Sequence, residues 1–133
     1  ERRCAIGGCD GHLADNLVGV EAAHVRWRAY DGPDTVSNGM ALCSFHHVAF
    51  DAGAVSLTDD LRILISAEVS GQTGVQEWLY GFCGERIRRP QPAFPCPDSA
   101  FVKWHRSEVF KGPERARTRT AAHGALPMAA DGE

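Results

Sequence analysis

Two short pairs of metal-binding residue types, far apart in the sequence, restrict the fold of this chain more than any other feature. Cys4 and Cys9 form a C-x4-C pair, and Cys43 and His46 form a C-x2-H pair. Short loops allow each pair to converge on one tetrahedral ion, and thiolate with imidazole favours zinc over magnesium or calcium. We therefore predict a structural zinc that joins the N-terminal knuckle to a distant segment. The alternative is that these cysteines are free and pack as small hydrophobic side chains.

The composition indicates a single modest soluble domain. The chain has 133 residues, of which 44% are hydrophobic and 23% charged, and its longest apolar runs are a few residues. Neither a transmembrane helix nor a signal peptide is predicted, so no membrane partner is expected. Five cysteines without a signal peptide indicate a reducing compartment, and we predict a cytoplasmic location. Because the first residue is Glu1 rather than Met, we expect a piece of a longer protein.

The net charge of −3 argues against binding to nucleic acid by bulk charge. It leaves room for an enzyme whose phosphate contacts are local. Arg26 and Arg28 follow the first predicted strand and are the candidate phosphate contacts.

The pattern of apolar and turn-forming residues predicts an α+β fold. The predicted elements are a strand at 17–27, a loop at 30–39, a short strand at 40–43, a helix at 44–51 with Ser44 as N-cap and Gly53 as stop signal, a hairpin at 54–66, a helix at 73–84, a proline-rich linker at 88–97 and a helix at 99–110 capped by Asp98. We divide the chain into a core at 1–66, a helical extension at 67–112 packed on that core, and a disordered tail at 113–133.

Adjacent histidines in the predicted helix suggest two separate roles. Neighbouring side chains on a helix point about 100° apart, so a zinc bound by His46 leaves His47 facing elsewhere. His47 is then the last member of an ordered set, namely strand His24, loop Asn38 and helix His47.

This set, within "EAAHV", "SNGMALC" and "HHVAFDAGAVSL", resembles the HNH nucleases of the ββα-metal fold. The segment 4–66 is most similar to the C-terminal HNH domains of modification-dependent, McrA-like restriction endonucleases. The segment 67–112 resembles the extension of actinobacterial members that act on phosphorothioated DNA. The resemblance implies double-stranded DNA as substrate and an upstream domain that reads the DNA modification.

The resemblance also implies roles for single residues. His24 matches the general base that takes a proton from the attacking water, and Asn38 matches the loop residue that orients this base. His47 matches the ligand of a catalytic Mg²⁺ or Mn²⁺. Two cuts in a duplex would favour a homodimer or sequential nicking.

One position departs from the family pattern. Many HNH nucleases carry Asp or His immediately before the base histidine as a second metal ligand, whereas this chain has Ala23. Glu21, on the same strand face as Ala23, and Asp51, one helical turn after His47, are the candidate replacements. Each can instead be a structural or orienting carboxylate.

Two other functions remain open at this point. Ala23 is compatible with a zinc-stabilised DNA-binding module whose nuclease site is degenerate, and the acidic net charge is compatible with a metal-bound interaction domain that has no nucleic-acid partner.

Overall fold

Paired strands and short helices alternate along the computed structural model, which describes residues 3–90 and 95–116. The strands are β1 (His12–Leu13), β2 (Asn16–Leu17), β3 (Val20–His24), β4 (Gly39–Cys43), β5 (Val55–Leu57) and β6 (Ile63–Ile65), and the α-helices are α1 (Ser44–Asp51), α2 (Val75–Trp78) and α3 (Ser99–Glu108). Consecutive strands pair as β1–β2, β3–β4 and β5–β6, all antiparallel. The predicted α+β class is confirmed. In the part of the chain that the structure describes, no helix has the length and apolarity needed to cross a membrane.

Strand β3 is shorter than the strand predicted at 17–27. Leu17 already belongs to β2, and β3 ends at His24, which faces Gly39 of β4. Beyond this point the side chain of Asn38 replaces a partner strand, because it hydrogen-bonds both the N–H and the carbonyl of Arg26. The prediction was therefore wrong at both ends, since an isolated sequence does not reveal which side chain satisfies the backbone.

Helix α1 occupies the predicted residues, but its N-cap differs. The Sγ of Cys43 accepts the His46 N–H, whereas the Ser44 hydroxyl, which we predicted as the cap, donates to Glu21. The predicted stop at Gly53 is confirmed by a φ of 84°. A Cβ at Gly53 would lie 2.3 Å from the Val109 carbonyl oxygen, so only glycine allows the C-terminal segment to approach this closely.

The predicted helix at 73–84 was wrong in its length. Helix α2 stops at Trp78, and a separate 3-10 turn covers Tyr80–Phe82. The carbonyl of Trp78 accepts the Nε2–H of His46 at 2.7 Å, and Leu79 leaves helical geometry with a φ of −129°. A tertiary contact therefore ends this helix. Helix α3 begins after Asp98 as predicted, with the Asp98 carboxylate accepting the Ala100 N–H at 2.8 Å.

The division at residue 113 stays a prediction. Pro113 and Arg115 hydrogen-bond the backbone of the β6 region, through the N–H of Ala67 and the carbonyl of Ile65. Residues 91–94 of the predicted linker and 117–133 of the predicted tail lie outside the described residues.

A buried histidine joins α3 to the end of α1. His105 is fully buried and stacks on Phe50 with ring centroids 3.7 Å apart. Its Nε2–H donates to the Phe50 carbonyl at 2.9 Å, and its Nδ1 lies 2.7 Å from the Ser56 hydroxyl, which can donate to it. Burial lowers the pKa of His105 to about 4 from 6.5, against the opposing effect of the Phe50 carbonyl.

This neutral histidine predicts loss of stability in acid. Above pH 6.5, the pKa of His105 in the unfolded chain, the folded state has its full free energy of unfolding. This free energy falls as the pH drops toward 4, because His105 binds a proton more readily in the unfolded chain than in the folded one. We expect a loss of about 3 kcal/mol over this interval. Urea unfolding at pH 7 and pH 4 measures this loss, with His105→Gln as the comparison, since the glutamine amide can donate to the Phe50 carbonyl but does not titrate. An equal pH dependence in both proteins would contradict the assignment.

Candidate active site

A cleft opens where the end of β3 faces α1. It has a volume of about 410 Å³ and is lined by Ala22, His24, Trp27, Arg28, His47 and Asp51. The fold therefore brings the predicted strand and helix histidines to one cleft, although they are 23 positions apart in the sequence. His47 and Asp51 lie one helical turn apart on α1, which gives them a common face.

His47 lies between two carboxylates. Its Nδ1 is 2.7 Å from Glu21 Oε1, and its Nε2 is 3.3 Å from Asp51 Oδ2. The hydrogen bond from His47, followed by that from Ser44, lowers the pKa of Glu21. Ionised carboxylates can accept hydrogen bonds but cannot donate them. The His47 ring can therefore pair with both carboxylates if each nitrogen carries a proton, or if a cation takes the place of one proton. Both candidate replacements for the ligand missing at Ala23 thus contact the same histidine.

Asn38 lies behind the cleft and does not line it. The side chain is 1% exposed, and its Oδ1 accepts the Arg26 N–H at 2.7 Å. Its Nδ2 donates to the carbonyls of Arg26 and Pro33, each at 2.9 Å. These contacts fix the loop that follows the strand histidine, which is a positioning arrangement.

His24 contacts an acid that the sequence analysis missed. Its Nε2 lies 2.7 Å from Asp34 Oδ1, and the Nε of Arg28 lies 3.6 Å from the same oxygen. The hydrogen bond from His24 is the main cause that lowers the pKa of Asp34. Burial opposes it, and the charge of Arg28 adds to the lowering. A single acid in a turn is too common a feature to be identified from sequence. Its position in the loop that carries Asn38 was the only available signal.

The two predicted phosphate contacts differ in their surroundings. Arg28 is exposed and lines the cleft. The Nε of Arg26 donates to the Tyr30 carbonyl at 2.6 Å, and its guanidinium lies 5.6 Å from the centre of the Trp104 ring. The guanidinium of Arg26 is therefore already engaged by Tyr30 and Trp104. The guanidinium of Arg28 lines the cleft, and its ion-pair partner is the Asp34 carboxylate at 3.6 Å.

Three of the four predicted zinc ligands converge beneath α1. The Sγ of Cys4, the Sγ of Cys43 and a ring nitrogen of His46 all lie within 4.8 Å of one another, and the three residues are buried. Nδ1 of His46 is 3.5 Å from Cys4 Sγ and 3.2 Å from Cys43 Sγ. The half-buried Cys9 lies outside this mutual 4.8 Å set, although its backbone carbonyl accepts the Cys4 N–H.

The donor set of this cluster fits a structural metal. Nε2–H of His46 donates to the Trp78 carbonyl, which leaves Nδ1 as the nitrogen beside the sulfurs. Burial raises the pKa of the Cys4 thiol, but hydrogen bonds with His46 and nearby backbone N–H groups outweigh it and lower the pKa to about 6. Burial, with the neighbouring charges of Cys4 and Cys9, raises the pKa of Cys43 to about 11. The hydrogen bond from His46 to Cys4 requires a proton on Nδ1, and a bound dication would replace that proton and favour both thiolates.

The fold has the arrangement of the ββα-metal class. A β-hairpin and a following helix each supply one histidine to a cleft, and a Cys/His cluster lies beside them. Residues 4–58 match the family model described as HNH endonuclease. A solved structure titled modification dependent TagI restriction endonuclease is similar, with a TM-score of 0.61 and 28% sequence identity. The match covers 81% of this chain and 33% of that one, so the chain spans about a third of the enzyme's length. No curated protein matches the chain.

These findings confirm the predicted resemblance. Residues 4–58 resemble an HNH endonuclease domain, and the fold resembles that of a restriction endonuclease.

Proposed function

We propose that this domain hydrolyses phosphodiester bonds of double-stranded DNA, as the cleavage part of a restriction-type enzyme. The observation that carries the proposal is that two histidines, His24 at the end of β3 and His47 on α1, line one cleft. His24 takes a proton from the attacking water, because neutral imidazole accepts protons near physiological pH. Arg28 contacts the phosphate, and Arg26 supports the loop from behind. A 5′-phosphate and a 3′-hydroxyl are the expected ends.

The residues on α1 fit a hard divalent ion such as Mg²⁺ or Mn²⁺. His47 Nε2 and Asp51 Oδ2, 3.3 Å apart on one helix face, would hold it. When bound, such an ion stabilises charge on the phosphoryl and leaving oxygens. Glu21 accepts the Nδ1–H of His47 and so keeps Nε2 free for this role. Asp51 on this view replaces the ligand missing at Ala23, and Glu21 orients the histidine.

The zinc cluster has a separate, structural role in this proposal. Cys4, Cys43 and His46 would hold the ion, and Cys9 is the candidate fourth ligand. The similarity to a restriction enzyme supports an upstream domain that reads a DNA modification, and a homodimer is one way to cut both strands.

Relaxation of supercoiled plasmid, titrated with Mg²⁺, Mn²⁺ and Ca²⁺ in separate series, tests the function. We expect nicked and linear products that require the added ion. Asp51→Asn should raise the ion concentration for half-maximal cleavage by about 10- to 100-fold. Asp59→Asn, which removes a carboxylate that pairs with Arg106 and does not line the cleft, is the matched control.

Binding without cutting at any ion concentration would contradict the proposal and favour the degenerate DNA-binding module. Absence of binding at every salt concentration would favour the interaction domain without a nucleic-acid partner.

A further inference from the structure

The contact between His24 and Asp34 has no assigned role in the reaction described above. At 2.7 Å it is a short hydrogen bond between a ring nitrogen and a carboxylate. The same hydrogen bond lowers the pKa of Asp34, so the acid is ionised at neutral pH and can only accept. Nε2 of His24 must therefore carry the proton, and in the neutral ring the lone pair lies on Nδ1.

The backbone around Asp34 is fixed on both sides. Asn38 donates from Nδ2 to the carbonyl of Pro33 and from its backbone N–H to the carbonyl of Thr35, at 2.9 and 3.0 Å. These two residues flank Asp34 in the sequence. Asn38 also accepts the Val25 N–H through its carbonyl at 3.0 Å, directly after His24. One buried side chain and its backbone thus hold both the histidine and the acid.

The turn before Asp34 is equally restricted. The N–H of Gly32 donates to the Trp27 carbonyl at 2.9 Å, and a Cβ at Gly32 would lie 1.8 Å from the Arg26 carbonyl oxygen. No other residue fits this turn without moving the backbone. The Trp27 ring in turn packs edge-on against Trp104 of α3, with centroids 5.8 Å apart. The carboxylate therefore occupies a defined position beside His24.

We infer that Asp34 is a positioning residue for the base, which holds the His24 ring with Nδ1 as the proton-accepting atom. This inference rests on the proposed function. A carboxylate behind the base fixes the tautomer and stabilises the imidazolium that forms when the proton is taken. The charged and titratable groups around His24 are Asp34 and Arg28 from the loop, and His47 and Asp51 across the cleft from α1. Among the hydrogen bonds and ion pairs of the described residues, the one that the His24 ring makes is with Asp34.

Single-turnover cleavage and DNA affinity, measured separately, test the inference with Asp34→Ala and Asp34→Asn. We expect Asp34→Ala to slow cleavage by about 10- to 100-fold while DNA affinity is unchanged or higher, because a negative charge near the phosphates is lost. Asp34→Asn should recover part of the rate, since its Oδ1 can still accept the Nε2–H. Asp31→Asn removes a charge from the same loop and tolerates the left-handed backbone at that position, so it should match the wild type.

Histidine ring NMR provides a readout that is independent of cleavage. In ¹⁵N-histidine-labelled protein the Nε2–H proton of His24 should be protected from exchange, and Asp34→Ala should remove this protection. Unchanged or faster cleavage by Asp34→Ala would overturn the inference and indicate that the carboxylate obstructs the base. If the wild type does not cleave, the proposed function fails, and the ring signal alone decides whether Asp34 positions His24.

Discussion

Substitution of His24 by alanine is expected to reduce cleavage by about 10²- to 10⁴-fold, the contribution typical of a general base. The fold should remain, because the side chain of His24 is 37% exposed and contacts one exposed acid. A change in unfolding free energy below about 0.5 kcal/mol is expected for such a site. Single-turnover plasmid cleavage at saturating metal gives the rate, and thermal melting gives the stability.

The matched control is His12→Ala, because His12 is an exposed histidine on β1 that does not line the cleft. It should cleave at the wild-type rate. Full activity in His24→Ala would remove this residue from the mechanism, and DNA binding in both variants would show that the loss is chemical.

The second large effect separates the adjacent histidines. His46→Ala should lose zinc and the cooperative fold, because a structural zinc contributes apparent binding free energy of about 10–16 kcal/mol to small zinc domains. His47→Ala should keep zinc and fold but lose cleavage, since this side chain faces the cleft rather than the thiols. Zinc content by atomic emission, near-UV circular dichroism and plasmid cleavage measure the three properties on each protein.

Loss of the buried imidazole alone could also unfold the domain, because the Trp78 carbonyl would lose its partner. His46→Cys distinguishes the causes, since it supplies a metal ligand without the imidazole. We expect this variant to retain zinc and a cooperative melting transition. A folded, zinc-free His46→Ala protein would instead show that the Cys/His cluster is not a structural metal site.

The sequence was sufficient where local chemistry decides the structure. Helix α1 was predicted at its observed residues with the help of the stop signal at Gly53, which has a positive φ, although the predicted cap Ser44 was wrong. The order of His24, Asn38 and His47 predicted their convergence around one hairpin and helix. Three of the four cysteine and histidine positions converge as their spacing predicted.

The missed features all depend on contacts between distant segments. Helix α2 stops because His46 takes the Trp78 carbonyl, and that partner lies 32 positions away. Asp34 faces His24 because Asn38 shapes the loop between them, and nothing in the residue type of Asp34 indicates it. Side chains that replace a strand partner or a helix bond cannot be inferred from periodicity.

Helix α1 has a consequence for any attempt to move this domain into another protein. Eight residues are too few for a helix to be stable alone, and here the two ends are held by other parts of the chain. The extension supplies a partner at each end: Trp78 accepts from His46 in the first turn, and His105 donates to Phe50 in the last. A transplantable domain therefore extends through α3, well beyond the matched segment 4–58, because the helix that carries His47 is held at both ends by residues of the extension.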